Sequence, residues 1–262
     1  MPHAPVNDLS MYYEVHGEGP PLILLHGAYM TAEGMGPLAS GLAGIRQVIV
    51  PEMQGHGRTA DADRPLTYEQ MADDVAALSG HLDLGQADVV GYSLGGATAL
   101  QLAIRHPALV RRLVIISAGF RSDAMLPEAV ALFPAITPEM FAGSPEEMEY
   151  QRLAPDPDGF PKLVEKVKAL QTTDYAWPED DIRGIAAPTL IVLGDSDVRL
   201  EHAVELFKLR GGGVMGDLSG LPESQFAVLP GTTHMVPPGS GVLDRAEWLR
   251  AMILPFLDPP AG

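Results

Sequence analysis

Short runs of wholly apolar residues punctuate the chain: Leu22-Ile23-Leu24-Leu25, Val48-Ile49-Val50, Val89-Val90, Leu113-Val114-Ile115-Ile116 and Leu190-Ile191-Val192-Leu193. Runs this short, without polar alternation, predict strands buried on both faces of a parallel sheet. Between them apolar residues recur at helical spacing. Met71, Val75, Leu78 and Leu82 predict a helix over about 68–82, capped by Thr67. Thr31 is placed to cap another over about 32–43, and Ala97, Leu100 and Ile104 predict a third that ends near His106-Pro107. Leu9 to His16 reads as a strand stopped by Gly17, Gly19, Pro20 and Pro21; Gln225 to Leu229 reads as a last strand. Helices are expected over 201–209 and about 244–257. Strands alternating with helices of a dozen residues predict an α/β fold with a mostly parallel, doubly covered sheet.

The alternation breaks at 119–180, which is rich in proline and carries no strand signal. Short helical patterns occur there at about 127–133, 144–154 and 160–171; in the second, Ser144 caps, Pro145 follows, and Glu146 and Glu147 face the positive helix end. The expected organisation is one core, 1–119 with 184–262, carrying an inserted helical cap at 120–183. Residues 211–224 are glycine-rich and read as a mobile loop.

Composition adds limits. The chain has 262 residues, no cysteine, and 17 Lys plus Arg against 34 Asp plus Glu, a formal net charge of −17. Disulfides, thiolate metal sites and a cysteine nucleophile are excluded. The acidity argues against nucleic acid or an anionic membrane as partner. No basic start followed by an apolar run is seen, and no apolar stretch approaches the roughly 18 residues of a membrane span. A cytoplasmic protein, monomer or homodimer, is the expectation.

The strand at Val89-Val90 runs into Gly91-Tyr92-Ser93-Leu94-Gly95, and a helix follows at once. Strand, sharp turn with serine at its tip, then helix is the context in which Gly-x-Ser-x-Gly is a nucleophile elbow. A helix beginning just after Ser93 also brings its N–H groups and positive end to the charge formed when serine attacks a carbonyl. Serine needs a base, and the base an orienting carboxylate. Past the ends of later strands lie Gly194-Asp195-Ser196-Asp197 and Pro230-Gly231-Thr232-Thr233-His234. Asp195 or Asp197 could supply the acid. Of the eight histidines, His202 and His234 alone follow the acid turn. His202 reads as a surface residue of a helix, whereas His234 sits on a turn at the sheet edge. The Gly211–Gly213 run lacks the Gly-Lys-Ser/Thr sequel of a phosphate loop, and no grouping has metal-ligand spacing.

Gly91–Gly96, the His26-Gly27 turn, Gly55-His56-Gly57-Arg58, Pro188–Val192 into Gly194-x-x-Asp197, and Gly231-x-x-His234 together resemble the α/β-hydrolase superfamily. The likeness is greatest to its small, cap-bearing bacterial esterase and lactonase branch, and covers about 9–118 and 184–257. It implies Ser93 as nucleophile, Asp197 (rather than Asp195) as acid, because the family's acid is usually the last position of Gly-x-x-Asp, and His234 as base. It further implies an oxyanion hole from the main-chain N–H groups of Ala28 and Leu94. Glu52 stands where relatives often carry aspartate. His26 and His56 read as loop-bracing residues; Tyr29, Met30, Tyr92, Phe120 and Trp177 are candidates for the pocket.

The resemblance implies a cofactor-free serine hydrolase cleaving a small to medium carboxylic ester through an acyl-serine. A lactonase acting on acyl-homoserine or enol lactones is the alternative. A thioesterase, a carbon–carbon bond hydrolase, a perhydrolase and a slow-turnover ligand receptor use the same arrangement. Fold alone does not choose among them.

Overall fold

The computed structural model describes residues 2–216, 221–235 and 237–259. Among these residues runs an eight-stranded sheet. Its strands are β1 (His3–Val6), β2 (Leu9–His16), β3 (Pro21–Leu25), β4 (Gln47–Pro51), β5 (Ala87–Tyr92), β6 (Val110–Ile116), β7 (Thr189–Ser196) and β8 (Gln225–Thr233). The order is β1-β2-β4-β3-β5-β6-β7-β8. β1 pairs antiparallel with β2, and β2 antiparallel with β4; every other pair is parallel. The mostly parallel sheet expected from the apolar runs is therefore present. The edge strand β1 was not expected: four residues, one of them proline, are too few to show a period.

The runs are apolar throughout because both faces are covered. Ile23, Leu25, Val89, Ile115 and Ile191 pack on one side with α2 (Tyr68–His81) and α3 (Leu94–Arg105). Leu22, Leu24, Val90, Val114, Ile116, Leu190 and Val192 pack on the other with α1 (Gly36–Leu42) and α9 (Ala246–Leu257). Fully burying each such aliphatic side chain is worth about 1.5–3 kcal/mol, so a polar residue on either face would be costly.

Two helix starts follow the caps expected for them. Thr67 Oγ1 accepts from Gln70 N–H at 3.1 Å, and Ser144 Oγ from Glu147 N–H at 3.2 Å. The expected helix at 32–43 begins instead as a 3-10 turn, Glu33–Met35, before α1. Thr31 still accepts from Glu33 N–H at 3.2 Å, but its hydroxyl donates to Glu149.

Between β6 and β7 lie α4 (Pro127–Leu132), α5 (Pro145–Leu153), α6 (Phe160–Thr172) and α7 (Glu179–Gly184). α6 buries Phe160, Leu163, Val164, Val167 and Leu170 in the same cluster as α2 and α3. Lys166 Nζ donates to Asp61 Oδ1, Ala62 O and Arg64 O, each at 2.7 Å, tying α6 to the loop before α2. α7 straddles the expected boundary at 183/184. In the glycine-rich stretch, 217–220 lie outside the described residues, and its other residues carry no helix or strand. α8 (Leu200–Leu209) follows β7, and the 3-10 turn Val242–Arg245 leads into α9. No helix among the described residues is long and apolar enough to cross a membrane.

β5, β7 and β8 are neighbours or near-neighbours and run parallel, so their C-terminal ends open on one edge of the sheet. Loops at that edge are where α/β sheets place their ligand crevices.

Candidate active site

Ser93 terminates β5 in a conformation that strands and helices do not use, with φ 53° and ψ −116°. Positive φ at a non-glycine residue is strained and persists only when the surroundings enforce it. The two motif glycines show how. A Cβ on Gly95 would stand 2.4 Å from Leu25 O and 2.6 Å from His26 O, and one on Gly91 would stand 2.2 Å from Gly95 O. Backbone passes where side chains would be, and the turn closes tightly enough to hold the serine at the helix start.

His234 Nε2 lies 2.8 Å from Ser93 Oγ, and His234 Nδ1 lies 2.6 Å from Asp197 Oδ1. Because the carboxylate can only accept there, Nδ1 carries the proton and Nε2 presents its lone pair to the serine. Asp197 is 3 % exposed, and its other oxygen, Oδ2, accepts from Gly194 N–H at 3.1 Å and from the Ser117 hydroxyl. Asp195 points elsewhere. Its carboxylate accepts from Gly231 N–H at 2.8 Å and Thr232 N–H at 3.2 Å, bracing the turn that leads to His234. These two main-chain bonds hold the Asp195 carboxyl below its usual range.

Tyr92 does more than line the site. Its ring stacks on that of His234, centroids 5.2 Å apart, and its hydroxyl donates to His234 O at 2.7 Å. The imidazole is thus fixed from its edge by Asp197 and from its face by Tyr92. Burial raises the Tyr92 hydroxyl's pKa, which keeps it a donor. Ser117 and the Tyr92 contact escaped the sequence reading. The one signal for Ser117 was its place immediately after the apolar run of β6, at the same sheet edge.

Ala28 and Leu94 both line the cavity with Ser93. Among the described residues no carbonyl or side-chain oxygen accepts from either N–H. The loop carrying Ala28 rests on two buried histidines. His26 Nδ1 donates to Gly27 O at 2.7 Å while Nε2 accepts from Met53 N–H at 3.0 Å. His56 Nδ1 donates to Gln54 O at 3.0 Å, and the two rings lie 4.9 Å apart. Burial pushes His26 down to about 3 and His56 down to about 4, so both are neutral braces. Glu52, fully buried, accepts from Ala32 N–H at 3.1 Å and Arg58 Nη1 at 2.8 Å, joining the loops after β3 and β4.

A cavity of about 270 Å³ opens over Ser93. Tyr29, Met30 and Tyr92 line it, with Phe133, Ile136, Phe141, Glu146, Gln171 and Tyr175 from the segment between β6 and β7. A second hollow of about 250 Å³ shares Tyr29, Met30, Tyr92 and His234 and extends to Glu149 and Asp244. Phe120 and Trp177, candidates for the pocket from sequence, do not reach it. Phe120 is buried beside the His202 ring, and Trp177 packs edge-on against Tyr68 with centroids 5.7 Å apart. Large aromatic rings in the segment between β6 and β7 satisfy themselves in the core as readily as in a pocket.

The surface reading of His202 is also corrected. It is 1 % exposed, on the inward face of α8 with Leu206, and its Nε2 accepts from Phe120 N–H at 3.2 Å. Burial pushes it down to about 4, with Arg121 nearby acting in the same direction. Among the described residues no three His, Cys, Asp or Glu side chains converge as a metal site.

Residues 20–158 match the family model described as the alpha/beta hydrolase fold. A 2-hydroxymuconate semialdehyde hydrolase of Pseudomonas putida is 31 % identical over 202 residues, covering 69 % of this chain and 72 % of the relative. RutD of Azorhizobium caulinodans is 34 % identical over 126 residues, and there the match takes in 48 % of this chain and 48 % of the relative's length. Among solved structures, Est816, an N-acyl homoserine lactone degrading enzyme, superposes with a TM-score of 0.72 at 26 % identity, over 96 % of this chain and 98 % of its own. A meta-cleavage product hydrolase from Pseudomonas fluorescens IP01 shares the fold, with a TM-score of 0.74 at 20 % identity over 97 % and 96 % of the two chains. A strained serine between β5 and α3, the sheet order around it and this breadth of matching lead to one assignment: the chain belongs to the α/β-hydrolase fold family.

Proposed function

We propose that the protein is a serine hydrolase of uncharged carboxylic esters of small to medium size. One observation carries the reading, the continuous line of hydrogen bonds from Ser93 Oγ through the His234 ring to Asp197, at 2.8 Å and 2.6 Å. Its geometry suits general-base activation of a hydroxyl.

In the reaction Ser93 Oγ bonds to the substrate carbonyl carbon as its proton passes to His234 Nε2. The carbonyl electron pair moves onto oxygen, and the main-chain N–H groups of Ala28 and Leu94 donate to it. Asp197 accepts from Nδ1–H and stabilises the imidazolium without taking its proton. The tetrahedral adduct collapses, the ester C–O bond breaks, and the alkoxide leaves with the Nε2 proton. Water then gives a proton to Nε2 and attacks the acyl-serine carbon. A second collapse frees the acid and returns the proton to Ser93. The helical segment between β6 and β7 serves as a cap, supplying the apolar wall that seats the substrate and sheds water. The two hollows, both lined by His234, offer one arm to the acyl part and one to the alcohol.

A lactone is an ester whose acyl and alcohol parts stay joined, and the likeness to Est816 favours it as a second reading. The decisive test is hydrolysis of p-nitrophenyl butyrate and of a gamma-lactone by the protein and its Ser93→Ala variant. The variant is expected to lose at least about 10³-fold in kcat with its fold unchanged by circular dichroism. Wild-type rates in a folded Ser93→Ala variant sink the reading.

A further inference from the structure

Two polar atoms in the pocket take no part in the reaction just described. Tyr29 Oη and Gln171 Oε1 are buried and have no hydrogen-bond partner among the described residues, and both residues line the cavity above Ser93. Each occupies a place where an apolar side chain would pack as well. The Tyr29 ring lies 4.8 Å from that of Phe141 and 6.3 Å from that of Phe160, contacts that phenylalanine would also make. Gln171 continues the Val164 and Val167 stripe of α6 at helical spacing, one turn beyond the last valine. A buried donor or acceptor without a partner is costly and is rarely kept in an apolar wall. Pockets commonly hold a few such groups to orient a ligand.

The surrounding charges narrow the ligand. Arg121 lines the cavity, but its guanidinium is spent on Glu205, at 2.8 Å and 2.7 Å, and on Asp123 at 3.2 Å. Glu146 also lines the cavity, so an anionic substrate finds repulsion, and among the described lining residues no lysine or arginine is uncommitted. Burial pushes the Tyr29 hydroxyl's pKa up, with Glu165 adding to it, so the hydroxyl remains a neutral donor.

We infer that the pocket selects esters whose chain, away from the scissile carbonyl, carries an uncharged hydrogen-bonding group (a keto, hydroxyl or amide function), with Tyr29 Oη donating to its oxygen and Gln171 Oε1 accepting from its O–H or N–H where it has one. This rests on the serine-hydrolase reading above and adds the substrate class to it.

The test is a series built on p-nitrophenyl hexanoate, in which one methylene at a time becomes C=O or CHOH. The readout is kcat/KM for each member relative to the plain hexanoate. At least one position is expected to exceed the plain ester by about tenfold or more. Tyr29→Phe should bring the keto ratio towards one, and Gln171→Leu the hydroxyl ratio. Titration of Ser93 with a p-nitrophenyl phosphonate verifies that each variant is folded and competent. Ratios at or below one at every position, or ratios unchanged in both competent variants, overturn this inference and leave the serine-hydrolase reading standing. Failure of the wild-type protein to turn over any member or to take up the phosphonate overturns the serine-hydrolase reading, and this one with it.

Discussion

At the scale of single residues, the turn at the end of β7 separates two aspartates two positions apart into different tasks. Asp197 is buried and touches His234; Asp195 is exposed and braces the backbone before it. Asp197→Asn keeps the shape but offers an amide that can donate to Nδ1, which favours the wrong imidazole tautomer. A loss of about 10⁴-fold in kcat is expected, measured on a p-nitrophenyl ester at neutral pH. Asp195→Asn removes only the charge from a main-chain brace, and its loss should be orders of magnitude smaller. The reverse ranking would place the acid at Asp195. Sequence separated these two only through the resemblance to a family, because side chains two apart on a strand end share a face. It could not show Ser117 donating to Asp197, or Tyr92 clamping His234 across 142 positions of chain, because neither contact leaves a local pattern.

At the scale of elements, the elbow works through close approach. Gly95 lies against the carbonyls of Leu25 and His26, the last residue of β3 and the first of the loop carrying Ala28. Gly95→Ala must push either α3 or that loop aside, since backbone carbonyls cannot swing away like a side-chain tip. The expected outcome is a stability loss of about 1–3 kcal/mol in urea unfolding, with a disproportionate fall in kcat as the Ala28 and Leu94 amides separate. A variant with full stability and full kcat would show that the turn tolerates bulk. Elements with strong local signals were legible in advance. The buried strands showed unbroken apolar runs, and Thr67 and Ser144 announced their helices. α7 and β1 were not legible, since α7 buries a single residue, Ile182, and so shows no apolar stripe, and β1 is four residues long. His202 misled because its helix was read by polarity alone. One polar residue can face inward when a main-chain N–H such as that of Phe120 supplies its partner.

At the scale of the whole molecule, three buried neutral histidines link its stability to pH. His26 and His56 brace the loops beneath Ser93 and Ala28, and His202 ties α8 to the start of the segment after β6. Burial pushes them down to about 3, about 4 and about 4. An unfolded chain protonates its histidines near pH 6.5. Between about pH 6.5 and 4 the unfolded state therefore binds protons that the folded state refuses, so stability rises with pH and is lost on acidification through that window. Three such groups give a limiting slope of about 4 kcal/mol per pH unit. Glu52 opposes this, because burial raises its carboxyl and makes its charged form the less favoured one in the fold. Carboxyls held low by arginine, such as Glu33 with Arg152 and Asp73 with Arg105, lose their contribution only below about pH 4.5. The histidines therefore dominate the upper part of the window. Urea unfolding at pH 7.5, 6.5 and 5.5 should give a falling unfolding free energy at constant denaturant slope. His56→Gln retains a donor for Gln54 O without a titrating ring and should make the pH dependence shallower by about one proton. Stability that is flat from pH 7.5 to 5.5, or a His56→Gln variant as acid-sensitive as the parent, would show that these rings already share their protons with solvent.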